Sequence, residues 1–204
     1  MPAELARRVL EWGVMSTMPV PNAAELTDAP SWSIRPEQPI DLDQIHDLHR
    51  EAFHGPDEAD LVDAIRSGPD FLPDLALVAV ANDGSVLGHI LVSRVGFEPD
   101  AADGVRTDAL ALAPLAVLPP HQGRGIGSAL TREALALADA RDELFTAVVG
   151  SPAYYGRFGF VPASEHDVNG PYDAAGEAFQ VRSRPGGGTI TPGSVVYPRM
   201  FEDL

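Results

Sequence analysis

The chain has 204 residues, with 30 acidic and 14 basic side chains, a formal net charge of −16, no cysteine and no lysine. The lack of cysteine excludes disulfides, thiolate metal sites and cysteine nucleophiles. The acidity disfavours nucleic-acid binding, because phosphate contacts need a basic surface, and it serves either solubility or a preference for cationic substrates.

The amino-terminal segment differs in composition from the rest of the chain. Residues 1–31 combine a short helical pattern with proline-spaced linker residues, which predicts an N-terminal extension that is disordered or partly helical. The segment lacks the long apolar region of a secretory signal. No run elsewhere reaches the roughly 18–20 apolar residues of a membrane span. We therefore expect a cytoplasmic protein without a membrane partner, with one folded domain at 32–204.

Strand and helix signals begin at residue 31. SWSIR at 31–35 predicts a short strand, and DLDQIHDLHREAF at 41–53 predicts a helix with Asp41 as its N-cap. The apolar face of this helix would carry Ile45, Leu48, Ala52 and Phe53. DEADLVDAIRS at 57–67 predicts a second helix.

Apolar strands follow, separated by turn residues. Segments 75–81 and 85–97 flank Asn82-Asp83-Gly84, which tolerate positive φ and therefore predict a hairpin. Segment 108–118 is almost wholly apolar, which predicts a strand buried on both faces. A helix is predicted at 125–141. The apolar strand after it, at 143–150, should lie parallel to the strand at 108–118.

The last third of the chain carries shorter signals. They predict a short helix at 152–158, a return strand at 159–163 and further strands at 177–183 and 194–201. Together, the order of elements predicts an α+β fold: a mixed, mostly antiparallel sheet with helices on both faces.

The segment PPHQGRGIGSALTREAL, at 119–135, places glycines at 123, 125 and 127 at the start of the predicted helix. Glycine lets the backbone approach a ligand closely, and a helix N-terminus offers unpaired N–H groups with partial positive charge. Arg124 adds a cation and Ser128 a hydroxyl. The loop therefore predicts an anion site, most often one for phosphate.

Three nucleotide-binding patterns compete for this loop. The Walker A loop is excluded because it requires a lysine. The dinucleotide fingerprint G-x-G-x-x-G should follow the first strand of its domain, whereas here the third glycine comes one residue early and the loop lies in mid-chain. The third pattern is Gln-x-x-Gly-x-Gly at 122–127, which follows an apolar strand and opens a helix.

With this pattern, the sequence resembles the GNAT-type N-acetyltransferases, in which Gln-x-x-Gly-x-Gly holds the pyrophosphate of coenzyme A. LAPLAVLPPHQGRGIGSAL (112–130) and GSPAYYGRFGFVPA (150–163) are similar to a bacterial subgroup of these enzymes. The resemblance covers about 32–203. It departs from the subgroup at Ser151, where an aspartate is expected, so any role of that carboxylate is in doubt here.

The resemblance implies a GNAT-type fold in which the two central strands splay apart, with acetyl-coenzyme A as co-substrate and no metal. It implies that the pantetheine arm pairs with the main chain of Leu115, Ala116 and Val117. It also implies that the pyrophosphate is held by Gln122, Gly123, Arg124, Gly125, Ile126, Gly127 and Ser128. Tyr155 matches the family tyrosine that protonates the departing thiolate, since a phenol is a neutral acid near pH 7. For Tyr154 a packing role is favoured, and Arg157 either approaches the phosphates or lies on the surface.

Several residues are candidates for the general base that deprotonates the amine. Glu51 on the first predicted helix is our first choice, and the others are His49, Asp57, Glu58 and His89. A lone histidine on a strand, such as His89, is more often a hydrogen-bonded core residue. The resemblance also allows a water chain, or reliance on the small neutral fraction of the amine, in place of a base. His46 and His49 can share a helix face, but no third ligand has convincing metal-site spacing.

The function predicted first is transfer of the acetyl group of acetyl-coenzyme A to a primary amine of a small molecule or protein, directly within a ternary complex. A non-catalytic sensor of acetyl-coenzyme A or coenzyme A is the main alternative. A dinucleotide-dependent oxidoreductase comes next. An acetyltransferase acting on charged transfer RNA is disfavoured by the acidity. The sequence does not identify the acceptor, and it is compatible with a homodimer.

Overall fold

A nine-stranded sheet organises residues 31–101 and 104–201, the part of the chain that this computed structural model describes. The helices are α1 (Leu42–Phe53), α2 (Asp57–Arg66), α3 (Ile126–Asp139) and α4 (Pro152–Tyr155). The strands are β1 (Trp32–Pro36), β2 (Ala76–Ala81), β3 (Val86–Pro99), β4 (Thr107–Val117), β5 (Phe145–Val149), β6 (Val161–Pro162), β7 (Val168–Asn169), β8 (Phe179–Ser183) and β9 (Gly193–Val196). The predicted N-terminal extension lies, except for Ser31, outside the described residues.

The sheet is mixed and mostly antiparallel, as predicted. Its main path runs β1-β2-β3-β4-β5-β8-β6, and β4 and β5 are its parallel pair. β9 pairs with the end of β3 and with β7. The β2–β3 connection is the predicted hairpin, with Gly84 at φ 92°. The crossover from β4 through α3 to β5 makes that pair parallel, which confirms the expected α+β class.

Helices cover both faces of the sheet. On one face lie α1 and α2, whose buried apolar residues are Ile45, Leu48, Ala52, Ala59, Leu61, Val62 and Ile65. On the opposite face lies α3, with Ile126, Leu130, Ala134, Leu135 and Ala138. Both sets follow the helical spacing of their sequences. Full burial of one such Leu or Ile side chain contributes about 1.5–3 kcal/mol, so the two layers hold the sheet between them.

The sheet opens between β4 and β5. Leu110–Leu112 pair with Thr146–Val148, beyond which β4 continues to Val117 whereas β5 ends at Val149. The β3–β4 register shifts at the same level, where Pro114 lacks the N–H needed for a ladder bond. Residues 109–112 are buried as predicted, but Ala113, Leu115 and Val117 are only half-buried. The prediction of burial on both faces is therefore wrong for the second half of β4, because β5 no longer runs beside this part of the strand.

Three smaller differences from the sequence predictions have local causes. Asp41 precedes α1 but makes no side-chain cap bond, because its carboxylate binds the Arg35 guanidinium and the Gln38 N–H. The closing strand is only Gly193–Val196, and a 3-10 turn follows at Arg199–Phe201. β7 was missed because two residues carry no readable period. Across the described residues, no helix has the length and apolar character needed to cross a membrane.

Candidate active site

The glycine loop between β4 and α3 has the backbone geometry that its sequence predicts. Gly123 (φ 71°) and Gly125 (φ 87°) lie in the left-handed region, which residues with a Cβ rarely adopt. Gly125 immediately precedes α3, and residues 122–125 are exposed. Gln122 Nε2 donates a hydrogen bond to the Val117 carbonyl oxygen at 3.0 Å, which ties the loop to the end of β4.

The first turn of α3 can receive an anion. N–H groups in the first turn of a helix have no intrahelical acceptor and give this end a partial positive charge. The Ile126 side chain is buried in the core at 2% exposure, so only its backbone can meet a ligand. Arg124 is exposed and Ser128 is half-buried, so both side chains are accessible from the loop. This combination is typical of phosphate sites.

The hydroxyl of Tyr154 lies beside this first turn. A Cβ added at Gly127 would be 3.1 Å from the Tyr154 hydroxyl, which also lies 3.3 Å from Thr131 Oγ1. The ring of Tyr154 packs against Tyr155 and Phe158, so the expected packing role is one part of its environment. The hydroxyl of the side chain nevertheless reaches the glycine loop. The sequence cannot show this by its periodicity, because α4 has only four residues.

Two arginines rest on the aromatic rings next to the loop. The guanidinium of Arg157 lies 4.6 Å from the centroid of the Tyr154 ring, and that of Arg132 lies 5.6 Å from the Phe158 centroid. Arg157 Nε also donates to the Tyr154 carbonyl oxygen at 3.2 Å. Stacking of this kind holds a cation in place without neutralising it. Two cations are therefore held next to the loop, on the side that faces α4.

The second half of β4 supplies the other surface of the site. Leu115 and Val117 are half-buried, whereas the Ala116 side chain is buried in the core cluster on the α1 side of the sheet. Beyond Leu112 this strand has no β5 partner, so its backbone groups on that side are available to an extended ligand. Leu115, Ala116 and Val117 are thus continuous with the loop 122–128, as the sequence motif requires.

Tyr155 lies in the core at the open end of β5. Its side chain is 9% exposed and packs edge-on against Tyr154 and Phe160. A Cβ added at Gly150 would overlap its ring, and Gly150 is itself held by a 2.9 Å hydrogen bond from buried Gln180 to its carbonyl oxygen. Burial, with a further contribution from Tyr154, raises the pKa of the Tyr155 phenol above its ordinary value. The phenol is therefore protonated at neutral pH.

The predicted base candidates lie on α1, α2 and β3. Glu51 is exposed on α1; Asp57 is half-buried and Glu58 is buried, both in the first turn of α2. His49 and His89 are both 0% exposed. No group of three or more potential metal ligands occurs within the ranges 31–101 and 104–201.

A buried chain of polar side chains joins α1 to β3, and sequence analysis missed it. His49 Nε2 and His89 Nδ1 lie 2.9 Å apart, and His89 Nε2 lies 3.1 Å from Glu37 Oε2. Arg66 of α2 closes the chain with two hydrogen bonds to Glu37, at 2.7 and 3.0 Å. Two histidines at otherwise apolar positions were the available signal, since buried polar groups need partners.

The electrostatics of this chain separate its charged end from its neutral end. Burial alone would raise the pKa of Glu37, but hydrogen bonds from His89 and Arg66, with their charges, lower it to about 2. Burial lowers the pKa of His49 and of His89 below the ordinary histidine value. At neutral pH, Glu37 is therefore ionised and both imidazoles are neutral.

Known proteins match this chain in sequence and in fold. The Acetyltransferase (GNAT) family model matches residues 42–160. A protein named Uncharacterized N-acetyltransferase YhbS from Escherichia coli K12 is 38% identical over 151 residues, which is 72% of this chain and 84% of that protein.

Two solved structures are also similar. The structure of YhbS from Escherichia coli in complex with CoA has a TM-score of 0.74 and 30% identity, covering 86% of this chain and 94% of that one. A GNAT family acetyltransferase from Brucella melitensis in complex with acetyl-CoA has a TM-score of 0.67 and 31% identity, covering 83% and 97%.

The divided sheet and the glycine loop at the start of α3 thus occur in a chain that matches acetyltransferases both in sequence and in fold. This confirms the resemblance drawn from the two motifs. The chain belongs to the GNAT family of acetyltransferases, the acyltransferases that use acetyl-coenzyme A as co-substrate.

Proposed function

We propose that the protein transfers the acetyl group of acetyl-coenzyme A to a primary amine of a small molecule or protein, within a ternary complex. The observation that carries this proposal is the continuous surface formed by the unpaired half of β4 and the glycine loop. An extended ligand with a phosphate group at one end fits both parts. The proposed acceptor is a primary amine, and a cytoplasmic location stays a prediction.

The cofactor would be held mainly by backbone groups. Leu115, Ala116 and Val117 would pair with the pantetheine arm, and the pyrophosphate would lie on Gln122, Gly123, Arg124, Gly125, Ile126, Gly127 and Ser128. The positive φ of two of these glycines and the exposure of Arg124 support this placement. Beside them, the Tyr154 hydroxyl is a further candidate ligand.

Tyr155 is proposed as the general acid for the coenzyme A thiolate. When the tetrahedral intermediate collapses, the C–S bond breaks and the phenol gives its proton to sulfur. The phenol is protonated at neutral pH and can therefore donate, although burial raises its pKa and makes it a weaker acid than a free tyrosine. Burial also destabilises a thiolate in the same environment, which favours proton transfer to sulfur.

The first experiment is thermal unfolding with acetyl-coenzyme A, and with NAD as the control. A specific ligand at about 100 times its Kd adds roughly 2.7 kcal/mol to the free energy of unfolding. A shift with acetyl-coenzyme A but not with NAD supports the proposal. No shift at high concentration would contradict it, and a shift with NAD alone would favour the oxidoreductase alternative.

Catalysis is distinguished from sensing by Tyr155→Phe. An amine screen that detects thiol release has no background from the protein, which contains no cysteine. We expect Tyr155→Phe to lower kcat by about 100-fold with acetyl-coenzyme A affinity retained, in the range of general acid catalysis. Tyr154→Phe is the matched control and should affect affinity more than kcat. A wild-type protein that binds acetyl-coenzyme A but acetylates no amine would favour the sensor alternative.

A further inference from the structure

The hydrogen bonds between Glu37, His89 and His49 fix the position of every proton in the chain. Ionised Glu37 can only accept, so Nε2 of neutral His89 carries the proton of that bond. His89 Nδ1 is then a bare acceptor, which requires His49 Nε2 to donate across the 2.9 Å contact. His49 Nδ1 is consequently an unprotonated nitrogen.

This nitrogen is a buried acceptor without a hydrogen-bond partner in the structure. Every other ring nitrogen of the two histidines is satisfied. Leaving a buried polar atom unsatisfied destabilises a fold, so such atoms call for an explanation. A hydrogen-bonded chain that ends in a free lone pair is the arrangement of a general base held in one tautomer by the groups behind it.

The hydrogen-bonded Glu37–His89–His49 chain lies one strand away from the proposed cofactor surface. His89 is directly opposite Ala116 in the β3–β4 register, and paired residues share a face of the sheet. Gln44, early in α1, accepts a hydrogen bond from the Val86 N–H at 3.1 Å, and His49 meets His89 further along both elements. From Gln44 onward, α1 therefore follows β3 towards the level where β4 and β5 separate. Phe53, at the end of α1, stacks on His49 at 5.8 Å.

Titratable and charged groups surround His49 and His89 from three directions. β3 contributes His89 itself, the segment after β1 contributes Glu37 and Asp41, and α2 contributes Arg66. His46 lies one turn earlier on α1 and is paired with Asp63 at 3.0 Å. Burial and the charge of Arg66 oppose a proton on either histidine, and Glu37 counteracts this at His89, to which it is hydrogen-bonded. A proton that enters at His49 is therefore better accommodated on His89.

We propose that the Glu37–His89–His49 chain accepts the proton that the ammonium form of the acceptor must lose before it attacks acetyl-coenzyme A. His49 Nδ1 takes this proton through water from the open end of β4 and β5. The Nε2 proton of His49 passes to His89, and the resulting imidazolium is stabilised by Glu37. The neutral amine then attacks the carbonyl carbon, the C–S bond breaks, and Tyr155 gives its proton to sulfur. The second amine proton restores the Tyr155 phenol, and the proton held by the histidine chain is released to solvent before the next cycle. His49 is the accepting residue, and His89 and Glu37 are positioning residues.

The proposal rests on the proposed acetyl transfer, and its test separates the two. The variants are His49→Gln, His89→Gln and Glu37→Gln, each checked for acetyl-coenzyme A affinity and for thermal unfolding. The control is His46→Gln, on the same helix, which is linked to the chain only indirectly, through Asp63 and Arg66. The probes are ethylamine, which is an ammonium ion at pH 7.5, and 2,2,2-trifluoroethylamine, which is largely neutral at that pH because its fluorines withdraw electrons.

If the chain removes the proton, the variants should lose about 100-fold in kcat/KM with ethylamine and keep it within a few-fold with trifluoroethylamine. A merely structural defect would lower both equally, and that result overturns the proposal. A selective loss in Glu51→Gln, with the chain variants unaffected, overturns it in favour of Glu51. Wild-type protein that binds acetyl-coenzyme A and acetylates neither these amines nor any in the screen overturns acetyl transfer itself, and the relay with it.

A second measurement does not depend on any variant folding. Nitrogen-15 NMR of histidine-labelled wild-type protein distinguishes protonated from unprotonated ring nitrogens. We expect an unprotonated Nδ1 and a protonated Nε2 for His49 at pH 7.5, with and without acetyl-coenzyme A. A proton on His49 Nδ1 in the resting protein would overturn the proposal.

Discussion

The ring of Tyr155 lies directly over the α-carbon of Gly150, where any side chain would overlap it. The Gly150 backbone cannot move away, because its N–H donates to Ala178 at 2.9 Å and its carbonyl oxygen accepts from Gln180. The position of the proposed acid therefore depends on the absence of a Cβ at the end of β5.

Gly150→Ala should move Tyr155 and destabilise the fold. Forcing an extra methyl group into a packed site costs about 1–3 kcal/mol, which urea unfolding will measure. Gly156→Ala is the control, since its added Cβ meets nothing within 4 Å and its φ of −55° suits alanine. That variant should be neutral or slightly stabilising. Equal effects at both positions would contradict the contact between Gly150 and Tyr155.

Gly125→Ala should weaken both stability and acetyl-coenzyme A binding. A non-glycine residue in the left-handed region costs about 1–2 kcal/mol, and the loop would relax away from the geometry that receives phosphate. Gly84→Ala is the matched control, because its φ of 92° is similar but it lies in the β2–β3 hairpin. Both variants should lose stability in denaturant, whereas calorimetry should show lower affinity for Gly125→Ala alone.

Arg124→Ala should weaken acetyl-coenzyme A binding and reduce its dependence on salt. The side chain is exposed, so its attraction to phosphate is partly screened, and a loss of about fivefold to tenfold in affinity is expected. Arg50→Ala, an exposed arginine on α1, should leave binding unchanged. Titrations at low and high salt measure both quantities, and an Arg124 variant with wild-type salt dependence would place the phosphates elsewhere.

Glu37 should make the fold sensitive to acid. Its pKa of about 2 in the folded protein lies below the ordinary value of 4.5. Its ionisation therefore stabilises the fold above pH 4.5, by an amount on the order of 3 kcal/mol, and this is lost as the pH falls towards 2. Glu37→Gln should be less stable than wild type at neutral pH, and the difference should shrink through that window. A difference that stays constant with pH would contradict the ion pair with Arg66.

The cofactor loop could be predicted from sequence because its chemistry is local. Positive φ requires glycine, and an apolar strand followed by a helix pattern places the loop at a helix N-terminus, which the structure shows at Gly125. The β2–β3 hairpin and the parallel β4–β5 pair followed from equally local patterns.

The other parts of the site depend on contacts between distant residues. Glu37, His49 and His89 come from three separate elements, and each alone reads as an ordinary surface or core residue. Tyr154 and Tyr155 are adjacent in a four-residue helix, so no period shows which one faces the loop. The burial of β4 was overestimated because the sequence does not show where β5 turns away.

The β4–β5 pairing is only three residues long and divides the sheet into two parts. On one side of it lie β1 to β4 with three helices, and on the other lie β5, β8, β6 and α4, joined along the sheet through residues 110–112 and 146–148. A ligand lying between the strands would connect the two parts, because it would be hydrogen-bonded to β4 and enclosed by the part that contains β5. Amide exchange along β5 and β8 should therefore slow when the cleft is filled, at positions that the ligand does not touch.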